Sequence, residues 1–186
     1  LRVLREPHRI RWRAILHNVQ TAGVDALPIT GLLSFLLGIV IAYQGADQLQ
    51  RFGANIFVAD LVGISMLREL SPMMTAIIIA GRSGSAYTAQ IGTMKVPEEI
   101  DALRTMGFDP IEVLILPRML ALVLALPILA FLGAMAALYG GGLVAWLYGG
   151  VEPEAFLLRL RDAISIDHFV VGMIKAPVMA AVIGIV

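Results

Sequence analysis

Long uncharged apolar runs alternate with short polar ones along this chain, and their lengths predict membrane-spanning helices. Residues 26–46, flanked by Asp25 and Asp47, form a run of 21 without a charge. That matches the roughly 20 residues a helix needs to cross a hydrocarbon core of about 30 Å. A second run, 61–81, reaches spanning length only if Arg68 and Glu69 are accepted inside it. The third, 119–151, holds 33 uncharged residues, too many for one upright span at about 1.5 Å per residue and too few for two joined by a turn. The expectation is a long helix, tilted or emerging from the bilayer, bent near Pro127 and loosened at Gly140, Gly141 and Gly142. A fourth run, 169–186, is still apolar at its last residue, which predicts a fragment with at least one more helix to follow. The fold class is all-α, a single polytopic membrane domain over 1–186.

Composition fits this picture: 59% of the residues are hydrophobic and 15% charged, outside the range of soluble domains. With no cysteine, disulfides and thiolate metal sites are excluded, and a formal net charge of zero argues against nucleic acid as a partner. The positions of the cations set an expected orientation. Arg2, Arg5, Arg9, Arg11 and Arg13 precede the first span, and Arg82, Lys95, Arg104 and Arg118 follow the second, whereas Arg51, Arg159 and Arg161 fall on the other side. The positive-inside rule then places the N-terminus and the 81–110 segment in the cytoplasm, and 47–60 and 152–168 outside. The first 25 residues do not have the form of a cleavable signal, since arginines are spread over 13 positions and a polar stretch separates them from the apolar run. Arg2, Arg5, Arg9 and Arg13 fall on one helical stripe and Leu4, Trp12, Ile15 and Val19 on another, the pattern of an amphipathic helix in the headgroup layer or of a basic topology anchor.

Between the second and third runs lies a polar segment with helix punctuation. Pro97 opens it, Glu98, Glu99 and Asp101 place negative charge in the first turn where the helix dipole favours it, and Gly107 with Pro110 closes it. A short cytoplasmic helix at 97–108 is predicted, either a docking piece or a solvated connector. Asp101-Ala102-Leu103, Gly107 and Ile115-Leu116-Pro117 resemble a degenerate EAA loop of ABC permeases, with Asp for Glu and a shorter spacing. The wider set of LRELSP at 67–72, AGRSGSAYTAQIG at 80–92, EEIDALRTMGFDP at 98–110 and LPR at 116–118 resembles the MlaE (YrbE-type) permease family of MCE-associated ABC lipid transporters. That resemblance implies an N-terminal interfacial helix, about five transmembrane helices with four present here, and a coupling helix in which Glu98, Glu99, Asp101, Arg104 and Gly107 meet an ATP-binding subunit. It also implies a homodimer in the bacterial inner membrane with two such subunits, a periplasmic MCE-domain protein and phospholipid as cargo.

No GxxxxGK[ST] pattern occurs, so ATP and its magnesium belong to a partner chain, and neither a nucleophilic triad nor a carboxylate pair suggests an enzyme. The Gly81-Arg82-Ser83-Gly84-Ser85 stretch lacks the lysine of a phosphate loop. Its Gly81, Ser85 and Ala89, and its Gly84 and Thr88, recur every four residues, as close helix packing requires. Charges near a bilayer centre cost on the order of 2.5 to 3.5 kcal/mol on insertion scales, so Arg68 and Glu69 are expected to face a lipid-accepting cavity, a dimer interface or each other. In the resembling family that region lines the substrate pocket. A salt bridge that only holds helices together is the competing explanation, and Lys175 in the fourth run is a related case. Two other functions stay open on the residues alone: a small-solute ABC importer, and an ion-coupled transporter using Arg68, Glu69 and Lys175 as a relay.

Overall fold

The structure, a computed structural model, describes residues 12–95, 105–106 and 114–185. Among them the regular elements are all helical. Helix α1, Trp12–Ala22, joins through a short 3-10 turn to α2, Leu27–Gln50. The second rod runs through α3 (Val58–Ser65), α4 (Ser71–Ile79) and α5 (Ser85–Lys95), joined without a break by two π-helical turns at Met66–Leu70 and Ala80–Gly84. Helix α6 covers Leu116–Leu147, α7 Pro153–Ala163 and α8 Ile166–Ile185. Among the described residues four helices are long and apolar enough to cross a membrane.

Where α2 meets α6, small residues face inward and large ones outward, because neighbouring helices without a water-driven incentive to associate must gain their contact by close approach. In α2, Thr30, Ser34, Gly38, Ala42 and Ala46 recur every four residues and are buried, while Leu32, Leu36 and Val40 are exposed. This stripe lies on Gly133, Ala137, Gly140 and Gly141 of α6. A Cβ at Gly38 would overlap the Ala137 backbone, and one at Gly140 would stand 2.5 Å from the Phe35 carbonyl. The glycines expected to loosen α6 therefore do the reverse: Gly140 and Gly141 are buried at a helix crossing, and α6 continues through them and through Pro127 to Leu147. At 32 residues and about 1.5 Å each it is near 48 Å long, well beyond a hydrocarbon core. Ser71 ties α4 to the same helix by donating its hydroxyl to the Ala130 carbonyl at 2.5 Å.

The other boundaries shift for identifiable reasons. The first span continues beyond Ala46 to Gln50, ending in a turn at Gly53 with φ 66°. Helix in the second rod runs past Gly81 to Lys95, since polar sequence alone does not stop a helix; Ser85, Thr88 and Thr93 satisfy their hydroxyls on carbonyls three or four residues back instead of competing for backbone groups elsewhere. The 152–168 segment is mostly the helix α7, closed onto α6 through Phe156 against Gly142. Helix α1 packs on α6 with Ile15 and Ala22 buried, so the described part of the amphipathic segment is held by protein on one side. Of the predicted helix at 97–108 only Thr105 and Met106 are described; Glu98, Glu99, Asp101, Arg104 and Gly107 lie outside the described residues.

Candidate functional site

The first π turn, Met66–Leu70, carries the two charges predicted inside the second span. A π turn widens the helix by one residue and leaves backbone groups out of register, and such turns cluster at functional positions. Two events coincide here. Gly172 of α8 crosses so closely that a Cβ on it would overlap the Leu67 carbonyl. One turn further along α8, Lys175 reaches across to Glu69, its Nζ 2.6 Å from Oε1. Arg68 Nε stands 3.4 Å from the same oxygen. One carboxylate thus serves two cations, its neighbour Arg68 and Lys175 of another helix, 106 residues further along the chain from Glu69.

These side chains are not sealed in the bundle. Arg68, Glu69 and Lys175 are 45%, 55% and 34% exposed, on a face otherwise occupied by apolar residues such as Ile174 and Val178. The neighbouring cleft, lined by Leu67, Pro72, Phe131, Phe169 and Met173, holds only about 10 Å³. A single chain therefore presents a compact ionic cluster on its flank, and the cleft beside it has no room for a lipid. The salt bridge between helices exists, and its exposure means that it also faces whatever covers that flank.

The stripe at the second π turn behaves differently from expectation within one chain. Nothing lies within 4 Å of a Cβ placed on Gly81 or Gly84, and Ser85 is exposed with its hydroxyl given to the Gly81 carbonyl. No close approach is made there among the described residues. Arg82, on the same turn, donates to the Asp25 carbonyl and so ties this end of the second rod to the junction of α1 and α2.

A second ion pair was not anticipated from sequence. Arg159 of α7 binds Asp60 of α3 through both carboxylate oxygens, at 2.8 and 2.7 Å, and its guanidinium lies 4.7 Å from the centre of the Phe57 ring. The hydrogen bond to Asp60 raises the already high pKa of Arg159, so the guanidinium stays charged at any working pH. The only sequence signal was an arginine and an aspartate facing the same side of the membrane, 99 residues apart. Replacing Arg159 by Ala is expected to free α7 while the spans stay assembled. Hydrogen exchange should then be several-fold faster in α7 amides and unchanged in α2 and α6; equal rates in α7 would show that Phe156 packing alone holds it.

Comparison with known proteins follows the same lines. A family model described as Permease MlaE matches residues 15–186. A probable ABC transporter permease protein of Rickettsia typhi is 33% identical over 172 residues, covering 92% of this chain and 66% of that protein. The chloroplastic protein trigalactosyldiacylglycerol 1 of Arabidopsis thaliana is 33% identical over 186 residues, all of this chain and 53% of that one. The intermembrane phospholipid transport system permease protein MlaE of Haemophilus influenzae is 35% identical over 170 residues, 91% of this chain and 65% of the relative. The chain thus spans between about half and two thirds of the length of these relatives.

Proposed function

As this chain belongs to the MlaE permease family, we propose that it is the membrane part of an ABC transporter that moves phospholipid or a similar hydrophobic molecule between bacterial envelope membranes. It works as a homodimer in the inner membrane, N-terminus in the cytoplasm, with two ATP-binding subunits and a periplasmic MCE-domain protein. The chain does no ATP chemistry itself; ATP and magnesium sit on the partner. The observation that carries this reading is the Arg68–Glu69–Lys175 cluster, half exposed on an apolar flank beside a cleft of about 10 Å³. Charges on such a flank are costly unless covered or wetted. A second copy of the chain supplies the cover, and the space between two such flanks supplies the cavity that one chain lacks. The relative from Haemophilus influenzae, named for intermembrane phospholipid transport, supports the choice of cargo.

Native mass spectrometry of the full-length protein, gently solubilised with its associated subunits, tests the architecture. Two permease copies, two ATP-binding subunits and retained phospholipid are expected. A permease free of any ATPase, under conditions that preserve other ABC complexes, would favour an ion-coupled transporter instead.

The same proposal gives the 97–108 segment the task of meeting the ATP-binding subunit. Reversing charge at Glu99 and Asp101 together is expected to leave ATP hydrolysis within about twofold of normal while lipid transfer between vesicles falls about tenfold, since paired charges at an interface set register and partner fit. Unchanged transfer in the doubly reversed protein discards the coupling role.

A further inference from the structure

A cavity of about 620 Å³ opens at the end of the bundle opposite α7, between α5, the first turn of α6 and the last turns of α8. Most of its wall is apolar, from Ile91, Met119, Leu122, Val182 and Ile183. Its polar content is concentrated on one side. Arg118 leans over the Tyr87 ring, 5.3 Å from the ring centre, and donates one NH2 hydrogen to Gln90 Oε1 at 3.2 Å. The other terminal nitrogen of Arg118, NH1, is buried and has no hydrogen-bond partner, and the Tyr87 hydroxyl is buried and unpartnered as well. None of the ion pairs among the described residues involves Arg118.

Two orphaned donors, one of them charged, are an expensive arrangement in an apolar cavity unless an acceptor completes it. Gln90 and Tyr87 fix the guanidinium plane, so its free edge is presented in one orientation. Arginine in such a setting suits an anionic oxygen cluster. Among the described residues no carboxylate supplies one, and the surrounding wall is too greasy for a solute that leaves water entirely. A ligand with an anionic head and apolar chains satisfies both parts of the cavity at once.

We propose that this cavity binds a membrane phospholipid, whose phosphate accepts hydrogen bonds from Arg118 and Tyr87 and whose acyl chains lie along Leu122 and Ile183. The site is separate from the Arg68–Glu69–Lys175 cluster, which sits at the other π turn, and it stands whether or not that cluster handles cargo. Its lipid is a resident that braces the junction of α5, α6 and α8.

The test is a native-mass titration of the full-length protein in detergent with phosphatidylglycerol and with diacylglycerol of the same chains. Phosphatidylglycerol is expected to form an adduct that diacylglycerol does not, with affinity about tenfold lower in Arg118→Gln, where one charge-assisted hydrogen bond is lost. Gly84→Leu, which fills open space on the cavity wall without touching Arg118, should block the adduct in a protein of unchanged melting temperature. The adduct should persist in Glu69→Lys, which separates it from any lipid held at the other cluster. Equal binding of diacylglycerol would overturn the proposal, as would an adduct indifferent to both Arg118→Gln and Gly84→Leu. Displacement of the lipid by millimolar inorganic phosphate would reassign the donors to a soluble anion and overturn it too.

Discussion

On the proposed function, replacing Glu69 by Lys should reduce lipid transfer by the full-length protein by at least tenfold, more than any single change at Arg68 or Lys175. The asymmetry follows from the geometry. Glu69 Oε1 is the shared acceptor of Lys175 at 2.6 Å and Arg68 at 3.4 Å. Losing Lys175, as in Lys175→Met, leaves one ion pair on the flank, whereas Glu69→Lys leaves three cations together in an apolar layer where uncompensated charge is disfavoured. The paired reversal, Glu69→Lys with Lys175→Glu, separates the two roles the cluster could have. It restores the link between the second rod and α8, so the melting temperature should return to near normal. If the carboxylate serves only as a strut, transfer returns with it; if its position on the second rod matters to the lipid, stability recovers and transfer does not. Vesicle-to-vesicle transfer of a fluorescent phospholipid and thermal unfolding of the same preparations give both readouts.

The second large effect is expected at Gly38. A Cβ there would occupy the space of the Ala137 carbonyl and Cα, so Gly38→Leu drives backbone from backbone where no side chain can yield. Overpacking of that kind costs about 3 kcal/mol or more, which corresponds to a melting temperature lower by about 10 °C for a chain of this size. Gly31→Leu, on the same helix with nothing within 4 Å of the added carbon, should leave the midpoint unchanged. A similar drop at both positions would mean that the glycines matter through helix flexibility rather than through contact.

The contrast between these two glycines shows how far the sequence could be followed. The four spans were legible because an uncharged run of about 20 residues has few other uses, and the Arg68–Glu69 pair announced itself by being charged within such a run. The meaning of the small residues was not recovered. The repeat at Thr30, Ser34, Gly38, Ala42 and Ala46 was as visible as the one at Gly81 and Ser85, yet it is the former that meets another helix in this chain. Spacing shows that a stripe permits close approach; only the partner, about 100 residues away in Ala137 and Gly140, shows that approach occurs. Glycines at 140–142 look like flexibility when counted by helix propensity and become rigidity once Phe35 and Val62 are found against them. The Lys175–Glu69 and Arg159–Asp60 pairs were hidden for the same reason, since each joins segments about 100 residues apart. The end of the second rod was displaced because polar composition does not by itself end a helix: the hydroxyls of Thr88 and Thr93 are satisfied within it, on carbonyls three or four residues back.

The backbone contact at Gly38 also decides which parts of the molecule can move. Side-chain seams slide by small repacking, but a carbonyl seated against a glycine is a notch, and leaving it means advancing to the next small residue, about 5.4 Å away. Helices α2 and α6 are therefore locked in one register that side-chain repacking alone does not change. The second rod and α8 share a notch of the same kind at Gly172, with the ionic clasp at Glu69 beside it, so that pair too can shift register only by leaving the notch and breaking the clasp together.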